Sequence, residues 1–186
     1  RVSLGIGTGD SAAYGAGLKG STVEYLRKYI RTLRGLLKGD EVEWEGATFK
    51  PEWKHWVPPR DIRIYVAAAG PKMLRMAAEE GDGVIPAQYP FTREGVDYVN
   101  SILKEGCDAV GKKFADLDIW YHPTVHLGES RKEVRNSMSV SAAWLARFTT
   151  EGKMIPNEYK DAVRKVAETW NLAGHGGRGN NASTEM

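Results

Sequence analysis

Residues 62–87 read IRIYVAAAGPKMLRMAAEEGDGVIPA, and this stretch decides the fold. An apolar, β-rich run ends at Gly70, and Pro71 then stands at the first position of a helix, where its missing N–H is not needed. Gly81 ends that helix, and a second short apolar run follows from Gly83 to Ala87. A strand, a helix and a second strand in this order predict two parallel strands joined by a crossover helix.

The same alternation continues upstream of this stretch. Val2 to Ile6 is another β-rich apolar run. Ser21-Thr22-Val23-Glu24 has the S-x-x-E spacing of a capping box, and apolar residues at helical intervals follow it as far as Gly39. Polar and apolar residues then alternate from Glu41 to Phe49 about a glycine turn, which predicts a small hairpin.

Further strand and helix signals follow downstream. Thr92 is placed to cap a helix with one apolar face, and Asp118 to Leu127 is a fourth extended segment. Ser130-Arg131-Lys132-Glu133 is a second capping box, which predicts a helix towards Arg147. A last helix is predicted from about Pro156 to Leu172.

Four strand-helix units in succession predict an α/β fold with a parallel sheet. Half of a (β/α)8 barrel and an open doubly wound sheet use the same units, so periodicity alone leaves both architectures open. Residues 1–173 are predicted to form one domain, and the Gly- and Asn-rich residues 174–186 are predicted to be a disordered tail.

Composition and charge exclude several classes of protein. Lys and Arg total 26 against 24 Asp and Glu, so no basic field favours nucleic acid as a partner. The one cysteine, Cys107, cannot form an internal disulfide, which indicates a reducing, cytoplasmic setting. No stretch approaches the roughly 20 apolar residues that span a bilayer, so a membrane is not expected as a partner either.

The residues Gly7-Thr8-Gly9-Asp10-Ser11, which we call the glycine loop, follow the first predicted strand. Glycines let backbone N–H groups approach an anionic oxygen closely, and Thr8 and Ser11 add neutral donors that suit a phosphate. The loop has neither the Gly-Lys-Ser/Thr ending of a P-loop nor the G-x-G-x-x-G spacing ahead of a helix. A purely structural turn is the alternative.

A second candidate wall is Ala69-Gly70, which ends the second core strand, with Lys72 close behind it. Small side chains leave room for a ligand, a helix N-terminus faces the opening, and Lys72 supplies a cation. The alternative is that the alanines pack under the helix and Lys72 is solvated. His122 and His126 would share one side of a strand, but no third ligand accompanies them, so no metal site is predicted.

Taken together, these segments resemble the luciferase-like oxidoreductases, in particular the branch that includes deazaflavin-dependent methylenetetrahydromethanopterin reductases and glucose-6-phosphate dehydrogenases. The resemblance spans about Val2 to Leu127, and Ile64 to Ile85 is its most specific part. Members usually carry Ala where this chain has Gly81, a substitution that we expect to be mild. The family's first four strands are absent from this sequence, so the resemblance implies the C-terminal half of a TIM barrel and a fragment of a longer enzyme.

The resemblance implies an oxidoreductase of the luciferase-like monooxygenase or reductase type, which transfers hydride between a coenzyme and a small organic substrate. The deazaflavin coenzyme F420 is favoured, with FMN as the alternative. No catalytic residue is assigned, because the family's first four strands supply residues around the coenzyme ring. By motif matching, the residues that hold the coenzyme are Gly7, Thr8, Gly9, Asp10 and Ser11 at its phosphate or side chain, Ala69 and Gly70 along the neighbouring wall, and Lys72 as an added cation.

Two other functions stay open. A noncatalytic coenzyme-binding protein derived from a barrel would complete itself as a homo-oligomer, because a half-barrel exposes sheet edges and apolar faces. If the chain is instead a fragment of a longer enzyme, the missing N-terminal half would complete the barrel. An S-adenosylmethionine-dependent methyltransferase is the second alternative, since Leu4 to Gly9 resembles that superfamily's first motif, although Leu4 stands where an acidic residue is expected.

Overall fold

The computed structural model describes residues 2–9, 13, 16–52, 61–123, 125–135 and 153–168. Its elements alternate between strands and helices along most of the chain. In chain order they are β1 (Ser3–Ile6), α1 (Val23–Lys38), β2 (Val42–Trp44), β3 (Ala47–Phe49), β4 (Arg63–Ala68), α2 (Pro71–Glu80), β5 (Gly83–Pro86), α3 (Arg93–Ala109), a 3₁₀ turn (Phe114–Asp116), β6 (Asp118–Ile119) and α4 (Asn157–Glu168).

Four strands form one parallel sheet in the order β1, β4, β5, β6. Each strand lies beside the next core strand along the chain, and the connections carry α1, α2 and α3 in turn. The predicted α/β fold with parallel crossovers is therefore confirmed. The predicted hairpin is also present: β2 and β3 are antiparallel, and the turn residues Glu45 and Gly46 both have positive φ, 50° and 81°, as a tight hairpin turn requires.

The helices cover one face of the parallel sheet. Ile64, Val66 and Ala68 are buried on this face of β4, whereas Arg63 and Ala67 on the opposite face are exposed. Burying one large apolar side chain stabilises a fold by roughly 1.5–3 kcal/mol, so this layer holds the helices to the sheet. The core residues that α2 and α3 contribute are Met73, Leu74, Met76, Ala77, Ala78, Val99, Ile102, Leu103 and Cys107.

Ion pairs join α1 to the C-terminal end of α2. Arg27 and Arg31, one turn apart on α1, both bind Glu80 Oε1, at 2.9 Å and 2.5 Å. The side chain of Glu80 is only 11% exposed in these pairs. Burial raises the pKa of this carboxyl, but the hydrogen bonds and charges of Arg31 and Arg27 outweigh it, so the pKa of Glu80 is lowered.

We expect Glu80→Gln to lower the free energy of unfolding by about 1–2 kcal/mol at about pH 7, because an amide cannot replace the charged acceptor. The folded-state pKa of Glu80 lies below its unfolded value, so the wild type loses this contribution as the pH falls through the folded pKa. Urea unfolding should therefore show the two proteins converging in acid.

The control is Glu105→Gln, which removes an exposed pair with Arg75. It should change the free energy of unfolding by less than about 0.5 kcal/mol. A difference between Glu80→Gln and the wild type that stays constant down to about pH 3 would contradict the role given to the charge of Glu80.

The turn after α2 is held by the side chain of Asp82 and packs closely at Gly81. Asp82 Oδ2 accepts hydrogen bonds from Arg34 and from the backbone amide of Ile64, both at 2.8 Å. A Cβ added to Gly81 would lie 2.7 Å from the carbonyl oxygen of Ala77. An alanine at position 81 of this chain would therefore need the turn to shift, because backbone oxygen occupies the place of its methyl group.

Two predicted helix starts are confirmed. The side chain of Thr92 accepts a hydrogen bond from Gly95 N at 3.1 Å, which caps α3. The side chain of Ser130 accepts one from Glu133 N at 3.2 Å, and residues 131–135 are helical. The rest of that helix lies outside the described residues.

The fourth extended segment is a regular strand over two residues only. β6 covers Asp118–Ile119, and the amide of Trp120 still donates to the neighbouring strand at 2.9 Å. Pro123 has no N–H to extend the pairing, and His122 and His126 therefore lie beyond the strand instead of sharing one side of it. Within the described ranges, no three His, Cys, Asp or Glu residues are grouped as metal ligands.

The last described element is α4, which confirms the central part of the helix predicted from Pro156 to Leu172. The predicted tail, residues 174–186, lies outside the described part of the chain. No helix in the described part is both long and apolar enough to cross a membrane.

Candidate functional site

The candidate site lies at the carboxyl ends of β1 and β4. Because these strands are adjacent and parallel, the loops that follow them leave the sheet at the same edge. Gly7, Thr8 and Gly9 come directly after β1, and a Cβ added to Gly7 would lie 3.4 Å from the Cβ of Ala67 in β4. Gly7 therefore packs beside Ala67, near the end of β4. Asp10 and Ser11 lie outside the described residues.

The carbonyl of Thr8 is held by the protein itself. It accepts hydrogen bonds from the backbone amide of Ser21 at 2.6 Å and from Ser21 Oγ at 2.9 Å. Gly20 approaches so closely that an added Cβ would lie 3.1 Å from the carbonyl oxygen of Gly9. In the part of the chain that the structure describes, no hydrogen bond is donated by the amides of Thr8 or Gly9. The described residues thus hold the loop through the carbonyl oxygen of Thr8, and none of them accepts a hydrogen bond from the amides of Thr8 or Gly9.

Ser21 has a different role from the one that its motif predicted. The residue that caps α1 is Thr22, whose side chain accepts a hydrogen bond from Tyr25 N at 3.1 Å. The predicted capping box is therefore wrong by one position. Ser21 instead binds Thr8, 13 residues upstream, and a contact at that separation leaves no local signal in the sequence.

The wall formed by Ala69 and Gly70 is open on one side. Ala69 is exposed, Gly70 adopts φ 97° and ψ 152°, and a Cβ added to Gly70 would meet nothing within 4 Å. The backbone amide of Gly70 is used, however, because it donates to the hydroxyl oxygen of Tyr89 at 3.0 Å. No sequence signal marks Tyr89, since a single tyrosine after a strand has no distinguishing pattern.

Lys72 lies in the first turn of α2 and is exposed. It lines a groove of about 640 Å³ between α1 and α2, whose other lining residues include Thr22, Glu24, Arg27, Arg75 and Glu79. None of the described residues of the glycine loop lines this groove. The structure therefore places Ala69 and Gly70 directly after β4, the strand beside β1, and places Lys72 among the charged residues of the helices.

A third loop, residues 87–91, follows β5 at the same edge and is called the β5 loop here. Its Gln88 has φ 65°, a left-handed backbone that is uncommon for a residue with a side chain. Gln88 Oε1 accepts a hydrogen bond from the ammonium group of Lys153, a lysine that is only 2% exposed. Met154, next to that lysine, also has positive φ, 57°. Residues held in such conformations concentrate at functional sites.

A parallel α/β sheet with a glycine loop at a strand end defines a class of proteins that bind ligands at the carboxyl edge of the sheet. The profile of the family described as luciferase-like monooxygenase matches residues 1–184. The chain belongs to this family.

Two curated relatives illustrate the match. The F420-dependent glucose-6-phosphate dehydrogenase of Gordonia bronchialis is 30% identical over 194 residues, which cover 93% of this chain and 56% of the relative. The 5,10-methylenetetrahydromethanopterin reductase of Archaeoglobus fulgidus is 29% identical over 182 residues, which cover 93% of this chain and 53% of the relative. The chain spans about half the length of the curated relatives it matches.

Two solved structures share the fold. The coenzyme F420 dependent tetrahydromethanopterin reductase from Methanopyrus kandleri has a TM-score of 0.63 at 15% identity, covering 93% of this chain and 56% of that one. An F420-dependent secondary alcohol dehydrogenase, in complex with an F420-acetone adduct, has a TM-score of 0.62 at 16% identity, covering 88% and 52%. All four proteins are described as redox enzymes, so the methyltransferase alternative is not favoured.

Proposed function

We propose that this chain is the C-terminal half-barrel of an oxidoreductase that binds the deazaflavin coenzyme F420 at the carboxyl ends of β1 and β4. When bound, this coenzyme supplies hydride chemistry at its ring, and the substrate is a small organic molecule. The relatives named for F420 support the choice of coenzyme over FMN. The dehydrogenase and reductase names of these relatives favour hydride transfer over oxygenation.

One observation of the structure carries the proposal. Ser21 fixes the carbonyl of Thr8, while the described part of the chain offers no acceptor for the amides of Thr8 and Gly9. Backbone amides left in this state at a strand end are the groups that bind phosphate oxygen in α/β proteins. The proposed coenzyme site comprises Gly7, Thr8, Gly9, Asp10 and Ser11 at the phosphate, Ala69 and Gly70 along the wall, and Lys72 as a more distant cation.

The unpaired edges of the described sheet support the proposal that this chain is half of a barrel. β1 and β6 each pair with one strand only among the described residues, so within the described part of the chain both edges of the sheet can accept further strands. Further strand-helix units, from the same protein or from a second copy, would close the barrel and supply the residues around the coenzyme ring.

Titration of the protein with coenzyme F420, followed by the fluorescence of the deazaflavin, tests the proposal. We expect F420 to bind at least about tenfold more tightly than FMN. The measurement is made on this chain and on the longest natural protein that contains the sequence, so that any missing half is supplied. Absence of F420 binding in both would refute the proposed function.

A further inference from the structure

The β5 loop is held at its first two residues. The amide of Ala87 donates to the carbonyl oxygen of Ala68 in β4 at 2.9 Å, and the side chain of Gln88 accepts from the buried ammonium of Lys153. Backbone strain such as that of Gln88 persists only where surrounding contacts over-determine the conformation. These contacts therefore fix the direction in which the next residue, Tyr89, leaves the loop.

Tyr89 reaches across to the end of β4. Its ring packs on that of Tyr98, with centroids 6.0 Å apart, and its hydroxyl oxygen accepts the amide hydrogen of Gly70 at 3.0 Å. Gly70 consequently cannot donate its amide to a ligand. The group beside it that can still donate a hydrogen bond is the hydroxyl of Tyr89.

That hydroxyl hydrogen is available. A tyrosine hydroxyl accepts and donates, and no acceptor for the Tyr89 hydrogen is found among the described residues. The bond accepted from Gly70 polarises the O–H group and strengthens it as a donor. Burial raises the pKa of Tyr89, so the hydroxyl stays protonated at neutral pH. Apart from the chain neighbours of Gly70, no atom of the described residues lies within 4 Å of a Cβ added to Gly70, so these residues leave that side of Gly70 open.

We propose that the Tyr89 hydroxyl donates a hydrogen bond to an anionic oxygen, of a phosphate or a carboxylate, in the tail of the bound coenzyme. The inference rests on the proposed function, and it adds a residue from a third loop to the site. The amides of Thr8 and Gly9 would bind the tail from the end of β1, and Tyr89 would bind it from the far side of β4. In this arrangement the Gly70 amide donates to the Tyr89 hydroxyl, and the hydroxyl in turn donates to the ligand.

The test compares two probes on the wild type and on Tyr89→Phe, which keeps the ring on Tyr98 and removes only the hydroxyl. One probe is coenzyme F420, and the other is its deazaflavin fragment, with the ring and the ribityl chain but without the phosphate and carboxylates. We expect Tyr89→Phe to weaken F420 binding about tenfold and to leave the fragment's Kd unchanged. Binding is measured without substrate, so a substrate anion cannot be the source of the effect.

The matched control is Tyr121→Phe. Tyr121 is also half-buried, but its hydroxyl donates to Asn100 Oδ1 at 2.8 Å, so its loss should change neither Kd. Fragment binding also reports whether Tyr89→Phe retains a folded site. If the wild type binds F420, an unchanged Kd for F420 in Tyr89→Phe, or an equal loss of affinity for both probes, would overturn the role of Tyr89. A wild type that binds neither probe would overturn the proposed function, and this inference with it.

Discussion

We expect Gly106→Ala to lower the free energy of unfolding by about 2 kcal/mol, although alanine is the better helix former. In an isolated helix the change would stabilise by about 1 kcal/mol. In this protein, the added Cβ would lie 2.6 Å from the carbonyl oxygen of Arg75 and 2.9 Å from the Cβ of Ala78, both on α2. Overpacking of a core costs about 1–3 kcal/mol or more, and the helices must separate to relieve it. Urea unfolding should give a lower midpoint at an unchanged slope.

Gly35→Ala is the control for this result. It also places a methyl group inside a helix, and the nearest atom, 2.6 Å away, is a side-chain methyl of Val42 in the hairpin. That side chain can shift where a backbone carbonyl cannot, so we expect a change within about 1 kcal/mol. If the two variants lose the same free energy of unfolding, separation of the helices at Gly106 is not the cause of the loss.

The fold could be predicted because local signals agree with the tertiary structure. Pro71 at the start of α2 and Gly81 at its end, between two apolar runs, mark a crossover without any knowledge of distant contacts. Agreement between local preference and global fold is what makes such a sequence interpretable. The closure of the barrel could not be decided in this way, because an open sheet uses the same units.

The site was only partly predictable, for a physical reason. The glycines at positions 7 and 9 are visible because their backbone freedom is encoded in the residue type. Ser21 and Tyr89 act through hydrogen bonds to residues 13 and 19 positions away, and Lys153 binds Gln88 at a separation of 65. Such contacts depend on where the sheet places each loop, so the sequence pattern around each residue carries no sign of them.

The proposed function predicts a loss of coenzyme binding on changing Gly9 to Ala. Gly9 has φ 91°, and an added Cβ would lie 3.3 Å from the Cβ of Ala13, so the loop must shift. If two amide bonds to a charged oxygen are lost, the Kd for coenzyme F420 should rise about 100-fold. Fluorescence titration measures this loss directly.

Gly17→Ala is the control that separates the loss of coenzyme binding from the effect of backbone strain. Gly17 also has a left-handed backbone, with φ 72°, but an added Cβ there would meet nothing within 4 Å. Both variants should lose about 1–2 kcal/mol of stability, because alanine disfavours positive φ, yet only Gly9→Ala should lose the coenzyme. Equal affinities in the two variants would mean that the amides around Thr8 do not bind the phosphate.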